Sequence, residues 1–285
     1  MSTPLFETCP LHCSQPLEET TIHLPEGTLR RCPSCGQLLS ACDQDWYNQS
    51  MQEFNAPEGT LPQGKSQQRY QQRMSKVLLR AKAQLPYSAM NPRFLDVGCS
   101  SGALLQVAKR CDFSVHGVEP AEKAAHTASQ LADVDVFTGF LADAHYPDHH
   151  FDIITLFEVI EHLTDPIAIT QEMMRILKPG GILLIGTNNA DSWSYQALGN
   201  RCEYLDIKKH GGHISFFTPN SMRKLAEQSG MRVINISTKR VNFAERKDVN
   251  ALQYHFNRIA RELLALPASW LLKGHDMMVT MQKPE

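Results

Sequence analysis

The chain has 285 residues, enough for one full α/β domain with appendages. Its formal charge is −2, 20% of its residues are charged, and no basic run extends beyond Lys208-Lys209. A nucleic-acid surface shows a basic stripe, so this balance argues against a nucleic-acid substrate. No apolar stretch reaches the ~18 residues of a membrane span. The first residues lack the charged start and apolar run of a secretory signal. These features point to the cytoplasm, where the eight cysteines stay reduced. Contact with a membrane surface is compatible with them.

Five of the cysteines fall within residues 1–42. Cys9-Pro-Leu-His12-Cys13 is followed by Arg31-Cys32-Pro-Ser-Cys35-Gly36, and Cys32-x-x-Cys35-Gly has the form of a zinc knuckle. Two pairs of soft ligands suit one tetrahedral, structural Zn²⁺ and supply folding energy to a stretch too small for its own core. Cys9, Cys13, Cys32 and Cys35 are the expected ligands, with His12 as the substitute for Cys13 and Cys42 as a spare. Residues 1–45 therefore form a zinc-ribbon-like module, expected to be removable without loss of the cofactor site. Residues 46–90 hold a Pro/Gly-rich linker, Ala56 to Gly64, and an amphipathic helix from Ser66 to Leu85 that ends before Pro86.

Phe94, Leu95 and Val97 suit a buried strand, Gly98 to Gly102 form a glycine-punctuated turn, and Ala103 opens a helix. This order puts backbone N–H groups beside a crevice at a strand C-terminus, where open α/β sheets bind ligands. The turn has two glycines, not the three of a nicotinamide fingerprint, and Asp96 precedes them. A carboxylate there repels a pyrophosphate and can receive an ammonium group. Val115 to Glu119 is a second strand ending in an acid placed for ribose hydroxyls.

These residues resemble the class I S-adenosylmethionine-dependent methyltransferases, whose D-x-G-x-x-x-G turn and second-strand acid match Asp96, Gly98, Gly102 and Glu119. The likeness continues through Phe151 to Pro166 as the family's fourth strand and following segment. It extends to a helix Ile167–Leu177, a Leu177-Lys-Pro-Gly-Gly181 turn and a fifth strand Ile182–Thr187, covering about residues 92–190. It implies a Rossmann-like seven-stranded sheet with the last strand antiparallel, over residues 91–285. It also implies that S-adenosyl-L-methionine meets Asp96, Gly98, Cys99, Gly102, Glu119, Pro120, Leu141, Asp143 and Phe157. The helix before the first strand either caps the cofactor pocket or packs on the sheet.

Glu158-Val-Ile-Glu161-His162 closely resembles the acidic-histidine segment of ubiquinone-biosynthesis O-methyltransferases, which in some relatives is associated with a divalent ion such as Mg²⁺. Spacing i, i+3, i+4 predicts the three side chains on one helical face, which could hold a cation. An acceptor hydroxyl with pKa near ~10 needs a base, for which histidine suits neutral pH. His162 is the first candidate and His213 the second, with Glu158 and Glu161 beside them; a base, a metal ligand and a structural pair remain open for His162. Thr218 to Gly230 reads as a helix, Met231–Ser237 and Asp276–Gln282 as the sixth and seventh strands, with a helical insert at about 241–274. In that insert Leu252, Phe256, Ile259, Leu263 and Trp270 recur at helical spacing, suiting a lid over an apolar acceptor or core packing. The expected reaction is O-methylation of a small-molecule, lipid-linked or glycan acceptor. Protein or RNA methylation and a non-catalytic S-adenosylmethionine-binding scaffold are the alternatives.

Overall fold

The computed structural model describes residues 3–55, 61–88, 90–207, 212–243 and 251–285. Three short strands come first: β1 (Glu18–Leu24), β2 (Gly27–Arg31) and β3 (Leu38–Leu39). Helices α1 (Gln44–Asn55) and α2 (Gly64–Lys82) follow. Most of the predicted linker, residues 56–60, lies outside the described residues, as do Lys208 and Lys209.

The main sheet then begins. Strand β4 (Arg93–Val97) leads into α3 (Ala103–Arg110), β5 (Ser114–Glu119), α4 (Glu122–Ala132) and β6 (Val136–Thr138). Next come β7 (Phe151–Phe157), α5 (Pro166–Ile176), β8 (Leu177–Asn188) and the short helix α6 (Trp193–Leu198). Strand β9 (Ser215–Phe216), α7 (Pro219–Ser229), β10 (Arg232–Lys239), α8 (Ala251–Trp270) and β11 (Asp276–Gln282) complete the chain.

Seven strands pair in the order β10-β11-β8-β7-β4-β5-β6. All neighbours are parallel except β11, which is antiparallel to both β10 and β8, as the motif order predicts. The central strands are covered on both faces, which is why β7 reads as an unbroken apolar run, Phe151-Asp-Ile-Ile-Thr-Leu-Phe. Successive residues still go to opposite layers. Leu95, Ile154, Leu156, Leu183 and Ile185 pack with Met173, Met222 and Leu225 of α5 and α7. Phe94, Ile153, Ile182 and Leu184 pack with Met74, Leu78 and Leu105 of α2 and α3.

Local chemistry fixes the helix ends. Pro166 opens α5 while Asp165 accepts from the Ala168 N–H at 2.9 Å. Thr218 and Ser221 form a reciprocal capping box on α7, and Gly230 closes it at φ 74°. One local reading changes. Leu177-Lys-Pro-Gly-Gly181 is not a free turn but the start of β8: Phe151 pairs with Leu177 and Ile153 with Ile182, so the extra residues form a bulge.

The N-terminal strands are not a separate sheet. Strand β3 pairs with β9, Leu38 against Phe216 and Leu39 against Ser215, so residues of the main domain complete a four-stranded sheet β1-β2-β3-β9. Cys9, Leu11, Cys32 and Cys35 share a core cluster with Leu95 and Leu225. The N-terminal strands thus share a sheet and a core cluster with residues of the main domain.

The insert does form a helix, α8, but it is not core. Phe256, Leu263 and Trp270 are 63%, 72% and 79% exposed. The side chain of Leu252 lies outside the described residues. No helix among the described residues is long and apolar enough to cross a membrane.

Candidate active site

A cavity of about 630 Å³ opens at the C-terminal ends of β4 and β7. Its floor is Asp96 and the turn after β4, with Gly98, Cys99, Ser100 and Ser101. Gly98 and Cys99 N–H groups donate to the Val118 carbonyl at 2.8 and 3.1 Å. The two glycines are required by the protein itself. Gly98 has φ 74°, and a Cβ there would lie 2.4 Å from Val159 Cγ2. Gly102 has φ 80°, and its Cβ would lie 2.8 Å from the Ala128 Cα of α4.

Helix α2 touches both the cavity and the sheet. Tyr70, Arg73, Met74 and Val77 line the cavity, while Met74, Leu78 and Ala81 are buried against the sheet. The far wall is Phe157, Glu158, Gly186 and Thr187. Lys239, Arg240 and Asp276 form a charged rim, with Arg240 paired to Asp276. Sequence reading had not singled out Arg73, Thr187 or the rim, because no local motif marks them.

Asp96 is 4% exposed, and its Oδ1 accepts from Thr155 Oγ1 at 2.6 Å. Burial pushes its carboxyl up to about 7; the Thr155 bond opposes this and Glu119 adds to it. A carboxylate so enclosed, with a neutral hydroxyl partner, fits a cationic group entering the cavity. Glu119 is differently placed. Its carboxylate accepts from the Ser100 N–H at 2.8 Å and the Ala121 N–H at 3.0 Å, tying the glycine turn to β5. Glu119, Pro120, Leu141 and Asp143 are not among the cavity-lining residues. Leu141 is buried in the core and Asp143 is exposed.

Glu158 and His162 do not share a helical face. Glu158 has φ 53°, outside any helix, and only Ile160–His162 make a 3-10 turn. Glu158 therefore opens onto the cavity, while Glu161 and His162 turn behind it and are buried. Thr187, on the wall, donates to Glu161 Oε2 at 3.1 Å. The Tyr204 hydroxyl donates to Glu161 Oε1 and lies 3.4 Å from Glu158 Oε2. His213 Nδ1 lies 3.0 Å from the Tyr204 carbonyl oxygen and its Nε2 lies 3.8 Å from Glu161 Oε1. The rings of His162 and His213 are 4.7 Å apart. Although water reaches Glu158, it sits deep among protein atoms; desolvation and the Glu161 carboxylate push its carboxyl up to about 8. Burial and the same two carboxylates raise the Tyr204 phenol well above its usual range.

Among the described residues, two groups of side chains could hold a metal. The sulfurs of Cys9, Cys13, Cys32 and Cys35 lie within 4.8 Å of one another, with Cys9 and Cys35 Sγ 3.7 Å apart. A tetrahedron with Zn–S bonds of about 2.3 Å has edges near 3.8 Å, so the spacing fits zinc. Without an ion, hydrogen bonding from Cys35 holds the Cys9 thiol down to about 5, while burial pushes Cys13 up to about 12. His12 is exposed at φ 54° and lies outside this set, as does Cys42. The second group is Glu161, His162 and His213, whose ligand atoms also lie within 4.8 Å. Two imidazoles and one carboxylate do not match the all-oxygen preference of Mg²⁺, so the expected magnesium does not fit.

A family described as a methyltransferase domain matches residues 66–236. The chain belongs to this family of methyltransferase domains. It is 32% identical over 152 residues to a ubiquinone biosynthesis O-methyltransferase of Neisseria meningitidis serogroup A, covering 50% of this chain and 64% of that protein. It is 28% identical over 205 residues to the enzyme of that name from Psychrobacter arcticus, covering 67% and 72%. The chain thus spans just under two thirds of the first relative's length. In fold it is similar to a SAM-dependent methyltransferase of Archaeoglobus fulgidus, with TM-score 0.54, 17% identity, and 76% and 95% of the two chains covered.

Proposed function

We propose that the enzyme methylates a hydroxyl oxygen of a small molecule, and that the acceptor enters from the Glu158 and Thr187 side of the cavity. The observation that carries this is Glu158: a carboxyl open to the cavity, raised to about 8, and backed by Glu161 and Tyr204. S-adenosylmethionine, when bound, supplies an electrophilic methyl on sulfur. Asp96 receives its ammonium, the Gly98–Gly102 turn holds the methionine part, and Glu119, through its bonds from the Ser100 and Ala121 N–H groups, keeps that turn in place. Phe157 excludes water beside the reacting atoms. Positioning donor and acceptor in line provides much of the acceleration. The acceptor O–H proton would pass to Glu158 as the O–C bond forms and the methyl's bond to sulfur breaks, S-adenosylhomocysteine leaving as the neutral thioether; a base near its operating pH is the effective kind. His213, its Nε2 3.8 Å from Glu161 Oε1, orients Glu161, and neither it nor His162, both behind this wall, touches the acceptor.

Zn²⁺ on Cys9, Cys13, Cys32 and Cys35 is a structural part of this reading. The acceptor is assigned an apolar portion and the enzyme a membrane-surface contact through α8. Its apolar stripe of Phe256, Ile259, Leu263 and Trp270 faces solvent, with Arg258 and Arg261 away from it, the arrangement of an interfacial helix. Protein or RNA methylation draws no support from the charge balance.

The test is a panel of phenolic, lipid-linked and glycan hydroxyl acceptors with labelled methyl donor, the product located by mass spectrometry. Glu158→Gln should lower turnover by about 10²-fold with S-adenosylhomocysteine affinity unchanged. A methyl found on nitrogen, or full turnover in Glu158→Gln, overturns the reading. His162→Ala losing as much as Glu158→Gln would return the base to His162.

A further inference from the structure

We propose that the N-terminal unit is a positioning element for the acceptor side of the site, with Tyr47 as its contact on the Glu158–His162 segment. The inference rests on the reading of that segment given above. It begins with a turn too short to hold itself. Ile160–His162 is one 3-10 turn, closed by His162 N–H to Val159 oxygen at 3.0 Å and Leu163 N–H to Ile160 oxygen at 3.3 Å. Such a turn leaves its last carbonyls without partners of their own. Two distant donors take them. Ile214 N–H donates to the Glu161 carbonyl at 3.0 Å, and the Tyr47 hydroxyl donates to the His162 carbonyl at 2.8 Å.

Both donors are held by the N-terminal unit. Ile214 precedes β9, whose pairing partner is β3, and the Ser40 N–H donates to the Ile214 carbonyl at 2.8 Å. Gln37 Nε2 donates to Ser215 Oγ at 3.2 Å, and Thr218 Oγ1 donates to the Cys35 carbonyl at 2.8 Å. Tyr47 lies in the first turns of α1, where Asp43 accepts from the Trp46 N–H at 2.8 Å. Burial raises the Tyr47 phenol, so it stays a neutral donor. The need for such a strap is plain at Glu158, which holds φ 53° without being glycine. A backbone in that region persists only where its surroundings over-determine it. The four cysteines lie at the root of the strap: the Cys32–Cys35 turn leads directly into β3, and an ion tying those thiolates fixes the strand that pairs with β9. The unit thus acts from outside the cavity, through the carbonyls of Glu161 and His162, on the position of Glu158.

The experiment uses the full chain and needs no acceptor. Amide hydrogen exchange is followed by mass spectrometry in the wild type, in Tyr47→Phe, and in protein stripped with a zinc chelator. Tyr47→Phe should speed exchange over 158–163 by about tenfold, with exchange over 96–104 and 117–121 and S-adenosylhomocysteine affinity unchanged. Stripping should add 212–218 to the loosened region. With an acceptor found by the panel, Tyr47→Phe should lower kcat and leave the donor KM alone. Unchanged exchange over 158–163 in Tyr47→Phe, or loosening confined to residues 9–39 on stripping, overturns the proposal. Full turnover in Glu158→Gln would instead remove Glu158 as the base and leave the exchange result standing.

Discussion

Donor binding should weaken as pH falls, and Asp96 sets the size of the effect. Its carboxyl is raised to about 7 because burial removes water and the Thr155 hydroxyl only partly compensates. If the donor's ammonium is received by the ionised form, each dissociation constant is multiplied by the inverse of the ionised fraction. That factor is about 2 at pH 7, about 11 at pH 6 and about 100 at pH 5, or roughly 1.4 kcal/mol per unit below the pKa. Binding at pH 7 should release about half a proton per site. Calorimetry with S-adenosylhomocysteine from pH 8 to 5.5, in buffers of different ionisation enthalpy, reads both quantities. Asp96→Asn should bind weakly with little pH dependence, and Glu158→Gln, the other raised carboxyl on the cavity, should keep the slope. A flat wild-type profile, or a slope that survives in Asp96→Asn, would refute the assignment. The same raised pKa has the opposite sign for folding. Its contribution favours the folded state at low pH and is lost as pH rises from the unfolded carboxyl's ~3.9 through about 7.

Gly102→Ala should destabilise the fold by roughly 2–3 kcal/mol in denaturant titration, since φ 80° and contact with the α4 backbone both oppose a Cβ. A variant as stable as the wild type would mean that the turn relaxes freely. Asp152→Ala should cost about 3 kcal/mol, because this buried carboxylate accepts from Lys178 at 2.8 Å, Tyr87 at 2.9 Å and the Arg93 N–H at 2.7 Å. Leu263→Glu with Trp270→Ser should leave the melting temperature unchanged and abolish sedimentation with anionic lipid vesicles; a lowered melting temperature would show that the stripe is packed.

The parallel sheet was legible because its signals are local. The apolar runs at 94–97, 151–157 and 182–187 are long enough to exclude a solvated face, and Gly98, Gly102 and Gly230 mark backbone that other residues adopt poorly. Asp96 was legible for the same reason, as an acid at a strand end. What sequence spacing misplaced was Glu158. An i, i+3, i+4 pattern assumes a continuous helix, whereas one residue at positive φ turns Glu158 toward the cavity and Glu161 and His162 away from it.

Sequence reading named Glu158 and His213 as site candidates but not Tyr47, Thr187 or Tyr204 around them, for a physical reason: these parts touch only after folding. Tyr47, Glu158, Thr187, Tyr204 and His213 come from five segments, and no spacing along the chain relates them. The donor side is different, since one strand, one turn and the next strand end build most of it. A donor site of that kind needs little besides the sheet to hold it. The acceptor wall rests on a single 3-10 turn whose carbonyls are taken by residues far away in sequence. Perturbing the N-terminal unit should therefore act unevenly on one cavity, loosening the wall at Glu158 while Asp96 and the glycine turn keep their places. That asymmetry is what makes separate measurements of donor affinity and turnover informative for this enzyme.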